Sequence, residues 1–177
     1  MVNYYYVKAN REEWRIPKGS QGYTDWDNFP VGGEQKFNTF TKNKLFWKNL
    51  KKGDIVIGHS SYISSKKDDK IKFTPLPRIS AIAIVVADEE NSHKSGAAYY
   101  FVKLKKIVGF DPIRITKEIK KKLVDLPPFR LGSNRYTITK LSEQQFQKII
   151  EIIKKDHPSI KTDLDSSIKK ELKELNK

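Results

Sequence analysis

The chain has 177 residues, which suits one ordinary domain with a short tail. Its 9 Gly and 8 Pro exclude a collagen-like chain, and its lack of Cys excludes disulfide scaffolds, thiolate catalysis and Cys-based zinc sites. No apolar run approaches the roughly 20 residues of a membrane span, so we expect no membrane partner. Lys and Arg number 35 against 21 Asp and Glu, a net charge of +14, which favours a polyanion as partner; a lysine-rich protein with no such partner is the alternative.

The N-terminal segment predicts a strand. Residues 3–8 are aromatic and β-branched, the composition that strands favour. The segment has neither the basic start nor the small-residue cleavage site of a signal peptide, so we expect a cytoplasmic protein.

A long loop follows, and then a short helix and a strand. Residues 9–40 are punctuated by Gly and Pro and carry several aromatic residues, and loops of this length are often functional. Residues 41–50 predict a short helix, with Thr41 as N-cap and Gly53 just beyond its end. Residues 54–58 predict a short buried strand.

The middle of the chain predicts two further strands after a flexible segment. Residues 60–77 are polar with a charged centre, which predicts a flexible excursion. Residues 79–87 are the most apolar and β-branched stretch, which predicts a central strand. Residues 98–107 alternate apolar and basic side chains, the pattern of an amphipathic strand.

The last third predicts helices with one short strand. Residues 116–126 predict a short basic helix, and residues 136–139 a strand after a turn at 129–133. Residues 141–156 have apolar positions at helical spacing. Residues 166–177 predict either a helix docked on the domain or the start of a linker. The fold class is therefore α+β, a small curved mixed β-sheet or barrel with short covering helices.

Enzymatic motifs are nearly lacking. The chain has no phosphate-binding loop and no dinucleotide fingerprint. Of the three histidines, His93 lies in a polar loop and His157 at a helix end, whereas His59 follows a predicted strand. At a strand end His59 either satisfies a structural hydrogen bond or donates to a ligand, and both roles stay open. A nuclease or hydrolase would pair His59 with an acid such as Asp54, a less favoured alternative.

Trp26 is the most informative aromatic residue. Its neighbours in the sequence are all polar, and it lies in the Gly-rich loop. A large indole in this setting either anchors the loop or offers a face on which a base stacks, and the sequence favours neither role. Trp47, between Leu45 and Leu50 on the predicted helix, is expected in the core.

The order of these elements resembles the EVE and YTH branch of the PUA-like superfamily over residues 3 to about 153. The opening strand is aromatic-aromatic-aliphatic, and a Trp-bearing loop follows it. Lys51-Lys52-Gly53-Asp54 resembles the family's turn before its next strand. The small-residue-rich strand at 79–86 and the arginine-serine element at 129–146 complete the pattern. The resemblance implies a PUA-like fold.

The resemblance also implies a function. Such domains read a modified base, which is flipped into an aromatic cage, and they are not themselves enzymes. Methylated adenine is favoured and modified cytosine is the alternative. The implied base-binding residues are Lys8, Ala9, Asn10, Trp26, Asp27, His59, Ser60, Ser61, Tyr62 and Tyr99. Asp27 departs from the family's usual hydroxyl residue. The second cage wall stays open among Tyr62, Tyr99 and Tyr100.

Basic residues are expected to hold the flanking phosphates and so to offset the energy needed for base flipping. The expected contacts are Lys42, Lys44, Lys48, Arg78, Arg130, Ser133 and Arg135, and further candidates are Lys51, Lys52, Arg114, Lys117 and Lys120 to Lys122. Each of these is otherwise an ordinary solvated side chain.

The expected partner is double-stranded DNA with a modified base. RNA is an alternative partner. In a further alternative the chain is a structural adaptor whose basic face binds an acidic protein. EVE-like domains also occur at the N-terminus of McrB-type restriction proteins, which implies a motor domain or nuclease subunit as a further partner. We expect residues 1–157 to form the base-binding domain and residues 158–177 a charged segment, either a helix or a linker to a motor domain. No cofactor or metal is expected.

Overall fold

The computed structural model describes residues 2–9, 26, 29–39, 50–67, 70–90, 100–126, 138–160 and 163–175. The strands are β1 (Tyr4–Ala9), β2 (Glu34–Thr39), β3 (Ile55–Lys67), β4 (Lys70–Glu90), β5 (Tyr100–Arg114) and β6 (Ile138–Leu141). The helices are α1 (Lys117–Lys122), α2 (Glu143–Asp156) and α3 (Asp163–Leu175), with a 3₁₀ turn at Pro158–Ile160.

The strands form one mixed sheet of six, in the order β2-β5-β4-β3-β1-β6. β1 runs parallel to β3, and every other neighbouring pair is antiparallel. Within the described residues β2 and β6 form the two edges and do not pair with each other, so the sheet is open rather than a closed barrel. The predicted α+β class and the central position of β4 are confirmed.

Each face of the sheet carries its own core, because successive side chains of a strand point to opposite faces. The helix-side core contains Tyr6, Ile57 and Ile82, and the apolar face of α2 packs into it. The far-side core contains Tyr5, Val56 and Ala81 of the same strands. β1, β3 and β4 are therefore buried on both sides, which explains the unbroken apolar run of β4.

The helices begin and end where the sequence predicts, within a few residues. Ser142 caps α2 in a reciprocal arrangement with Gln145, and Thr116 caps α1 by accepting a hydrogen bond from the backbone of Ile119. α1 is shorter than predicted and gives way to a turn after Lys122. Of the two options for the C-terminal segment, the structure has the helix: α3 packs its apolar residues against the helix-side core.

The prediction of a flexible excursion at residues 60–77 is wrong. β3 continues to Lys67 and β4 begins at Lys70, and the two arms pair along their length. The polar sequence suggested that the backbone N–H and C=O groups here face solvent. Instead, the groups of one arm form hydrogen bonds with those of the other. β5 likewise extends to Arg114, because Arg114 still pairs with Arg78 of β4.

The predicted helix at 41–50 and the turn at 129–133 lie outside the described residues, apart from Leu50. No helix in the described part of the chain is both long and apolar enough to cross a lipid bilayer.

Candidate functional site

Four strands bring polar and basic residues into two adjacent rows at the carboxyl end of β1. The register places Lys8 beside His59, and Ala9 beside Ser60. Ser60 in turn pairs with Arg78, and Arg78 with Arg114. The β3–β4 register shifts on both sides of these two rows, between residues 58 and 59 and between 60 and 62. Such irregularities re-aim side chains and are common beside functional sites.

His59 is buried and lies in the first of these rows, beside Lys8. Its Nδ1 lies 2.5 Å from the hydroxyl oxygen of Tyr6, and the two rings meet edge to face. Burial raises the pKa of Tyr6 well above its ordinary value, so the phenol keeps its proton. A protonated phenol donates readily to an imidazole nitrogen. We therefore assign the tautomer in which Tyr6 donates to Nδ1 and the hydrogen of His59 is on Nε2.

His59 is uncharged at neutral pH. Its pKa is lowered to about 3, mainly by burial and also by the positive charges of Lys8, Arg78 and Lys120. The imidazole thus acts as a neutral hydrogen-bond donor in a positively charged setting.

The Nε2–H of His59 is buried and has no hydrogen-bond partner among the residues that the structure describes. The same holds for the hydroxyl oxygen of Thr139, which pairs with Tyr6 across β6 and β1. An unsatisfied buried donor costs about 1–3 kcal/mol. Such a group in a native fold is a candidate for a ligand or water contact.

Cations surround this donor. Lys8 is half-buried, and its pKa is lowered by burial and then by the charge of Lys120. Arg78 is buried and donates from Nη1 to the carbonyl oxygen of Leu76 at 2.9 Å. We call His59, Tyr6, Lys8, Arg78 and Lys120 the His59 site. Its charge and its free donor suit a ligand that carries acceptor atoms or negative charge.

Trp26 belongs to the far-side core. It is fully buried, and a Cβ added at Gly58 would lie 2.3 Å from its indole Cδ2. The buried ammonium of Lys106 donates to the carbonyl oxygen of Trp26 at 3.1 Å. Of the two roles left open for Trp26, its burial favours the anchor, since no exposed indole face remains for a base to stack on.

Trp26 and His59 also lie on opposite faces of the sheet. Tyr6, the partner of His59, is in the helix-side core, whereas Trp26 is in the far-side core. The structure therefore does not assemble the expected cage around these two residues. This corrects the expectation that one pocket contains both.

Asp54 is not a partner of His59. Its carboxylate accepts hydrogen bonds from the backbone and side-chain nitrogens of Asn3, each at 3.0 Å, and from the backbone of Lys51 at 2.9 Å. It precedes β3 and is five residues from His59, which corresponds to about 16 Å along a strand. The acid–histidine pair of the enzyme alternative is therefore not assembled.

The other expected residues are divided between these rows, the neighbouring part of the sheet, and residues outside the described part of the chain. Ala9, Ser60 and Arg78 lie in the second row, next to that of His59, and Ser61 and Tyr62 follow on β3. Tyr100 begins β5, at the opposite end of that strand from Arg114. Residues outside the described part are Asn10, Asp27, Tyr99, Lys42, Lys44, Lys48, Arg130, Ser133 and Arg135.

Tyr6 and Thr139 were not anticipated as site residues. Tyr6 reads in the sequence as one of three aromatic residues of a strand. A buried tyrosine hydroxyl needs a polar partner, and this requirement was the signal that could have identified Tyr6 as a site residue. Thr139 gives no such signal, because only the pairing of β6 with β1 places it beside Tyr6.

A concave surface lies between α3 and the strands β2, β5 and β4. Its volume is about 290 Å³, and its lining includes Glu34, Lys103 and Lys105. Lys105 pairs with Glu171 at 2.8 Å, and Lys103 pairs with Glu34. Because Lys103 and Lys105 are both paired with glutamates, this groove suits a polyanion less well than the His59 site does.

Two solved structures have a similar fold. A Pseudomonas putida protein, structural genomics target PpR72, is 18% identical with a TM-score of 0.54, over 84% of this chain and 97% of its own. Rpa0253 from Rhodopseudomonas palustris is 16% identical with a TM-score of 0.52, over 82% of this chain and 89% of its own. No family model and no curated protein matches the chain. At these identities the likeness concerns the fold alone.

Proposed function

We propose that this chain is a non-catalytic DNA-binding module that recognises a modified base, flipped out of the duplex, at the His59 site. The observation that carries the proposal is the buried, neutral Nε2–H of His59, unpaired within the described residues and surrounded by the charges of Lys8, Arg78 and Lys120. The net charge of +14 supports a polyanionic partner.

The two kinds of group at the site have separate roles. A neutral donor in a buried setting contacts an acceptor on a base edge, whereas cations near the surface hold phosphates. A base inside a duplex reaches such a buried donor only by leaving the stack, at a cost of a few kcal/mol. Phosphate contacts from Lys8 and Lys120 offset that cost.

The identity of the base and of the larger system depends on the sequence resemblance. The EVE and YTH branch of the PUA-like superfamily favours methylated adenine, with modified cytosine as the second candidate. On the same basis we propose that the chain is the specificity domain of a McrB-like restriction system, with a motor domain or nuclease subunit as partner. The open mixed sheet with covering helices is compatible with a PUA-like type.

The test is binding to matched duplexes by fluorescence anisotropy at two salt concentrations. The duplexes carry no modification, N6-methyladenine, 5-methylcytosine or 5-hydroxymethylcytosine. We expect one modified duplex to bind more tightly than the unmodified one. We expect His59→Leu to reduce this preference two- to tenfold, about the value of one neutral hydrogen bond. His59→Gln, which retains a donor near Nε2, should preserve more of the preference.

Charge variants separate base recognition from phosphate binding. Lys8→Gln and Lys120→Gln should weaken binding to every duplex and leave the preference intact. Lys169→Gln is the matched control, because Lys169 is exposed on α3. Leu172 of α3 lies near Gly53, just before the start of β3, whereas the His59 site lies further along that strand. An equal loss on modified and unmodified DNA in His59→Leu would contradict the proposed base contact. Preference for single-stranded RNA would indicate an RNA reader instead.

A further inference from the structure

β3 and β4 continue beyond the sheet as a two-stranded ribbon. We define the ribbon as residues 62–67 and 70–75, which pair from Tyr62 opposite Pro75 to Lys67 opposite Lys70. The pairing of β3 with β1 ends at Ser60, and that of β4 with β5 ends at Arg78. Among the described strands the ribbon thus has no third neighbour. Six residues of strand correspond to a length of about 20 Å.

The ribbon is basic. It contains Lys66, Lys67, Lys70 and Lys72 and no acidic residue; in the sequence, Asp68 and Asp69 stand between its two arms. The register places Lys67 directly opposite Lys70, and Ser65 opposite Lys72. Positions 67, 70 and 72 therefore share one face. Like charges directly opposite each other destabilise a strand pair, and a polyanion lying against this face would relieve that repulsion.

We propose that the ribbon enters the major groove of duplex DNA beside the flipped base. The inference deepens the proposed function and depends on it. The major groove of B-form DNA is about 12 Å wide and admits a two-stranded ribbon. The deep, narrow major groove of duplex RNA does not, so the ribbon selects DNA.

The position of the ribbon connects it to the His59 site. His59 pairs with Ile79 three residues before Tyr62, where the ribbon begins. DNA held along the ribbon therefore passes close to the row that contains His59. The ribbon holds the duplex without distinguishing its bases, and the His59 site recognises the flipped base.

The test compares two triple variants. Lys67, Lys70 and Lys72 are changed to Gln in one, and Lys169, Lys170 and Lys173, all exposed on α3, are changed to Gln in the other. Both proteins lose the same charge. Anisotropy at three salt concentrations gives the affinity and its salt dependence for modified DNA, unmodified DNA and duplex RNA.

We expect the ribbon variant to bind modified and unmodified DNA more weakly by the same factor. The slope of log affinity against log salt should fall by about 0.9 for each lost phosphate contact, so by about 2–3 in total. The control variant should show a smaller change, and the wild type should prefer duplex DNA to duplex RNA. Circular dichroism and thermal unfolding establish that each variant is folded. If the triple ribbon variant does not fold, the double variant with Lys67→Gln and Lys70→Gln takes its place.

The contradicting outcomes are distinct. Equal losses in the two variants, or equal wild-type affinity for duplex DNA and duplex RNA, would overturn the ribbon inference while the proposed function stands. Unchanged DNA binding by the ribbon variant together with new self-association would also overturn it, because lysines on a strand edge also prevent pairing with other chains. A wild type that binds no nucleic acid would overturn both proposals.

Discussion

Replacing Trp26 with alanine is expected to lower the free energy of unfolding by about 3–5 kcal/mol, the usual cost of removing a fully buried Trp. The indole is fully buried, packs over Gly58 and contributes to the far-side core. Its removal leaves a cavity under β1, β3 and β4 that the rigid sheet cannot close. Urea denaturation at pH 7 measures the loss.

Two companion variants test the same packing. Trp26→Phe should cost less, because it keeps an aromatic ring in the site. Gly58→Val should cost about 1–3 kcal/mol or more by overpacking, since even a Cβ would lie 2.3 Å from the indole. If Trp26→Ala kept full stability and lost only the preference for a modified base, Trp26 would be a stacking wall and the anchor role would be wrong.

Stability is expected to fall in acid because His59 is buried in its neutral form. The folded-state pKa is about 3, against an ordinary value of 6.5. Between these values the unfolded chain binds a proton that the folded chain does not, so folding weakens as the pH falls. The contribution is fully favourable above pH 6.5 and decreases by up to about 1.4 kcal/mol per pH unit below it.

The comparison of wild type with His59→Gln isolates this effect. Between pH 7 and pH 5 the wild type should lose about 2 kcal/mol more than the variant, which does not titrate at this position. Urea denaturation at both pH values gives the difference. Parallel losses in the two proteins would mean that His59 titrates normally and is not buried as described. A ligand that accepts from Nε2–H should stabilise the neutral form at both pH values.

The strongly patterned elements could be predicted from the sequence. β1, the centre of β4 and α2 occur where hydrophobic period and composition place them. The capping box of Ser142 and Gln145 is likewise a local sequence pattern, although it was not predicted. These features depend on neighbouring residues alone, so local pattern is enough. The ribbon was missed because its strand character comes from pairing between two arms, and its charged centre obscures it.

The features of the candidate site likewise fall into those that the sequence predicts and those that only the fold brings together. The sequence by itself determined the excess of positive charge and the position of His59 just after an apolar strand segment. Only the tertiary structure decided that Tyr6, 53 residues away, contacts His59, and that Trp26 lies on the other face of the sheet. Period-two alternation fixes which residues of one strand share a face, but register and strand order decide which strands meet. Those depend on burial across the whole domain, which no local pattern contains.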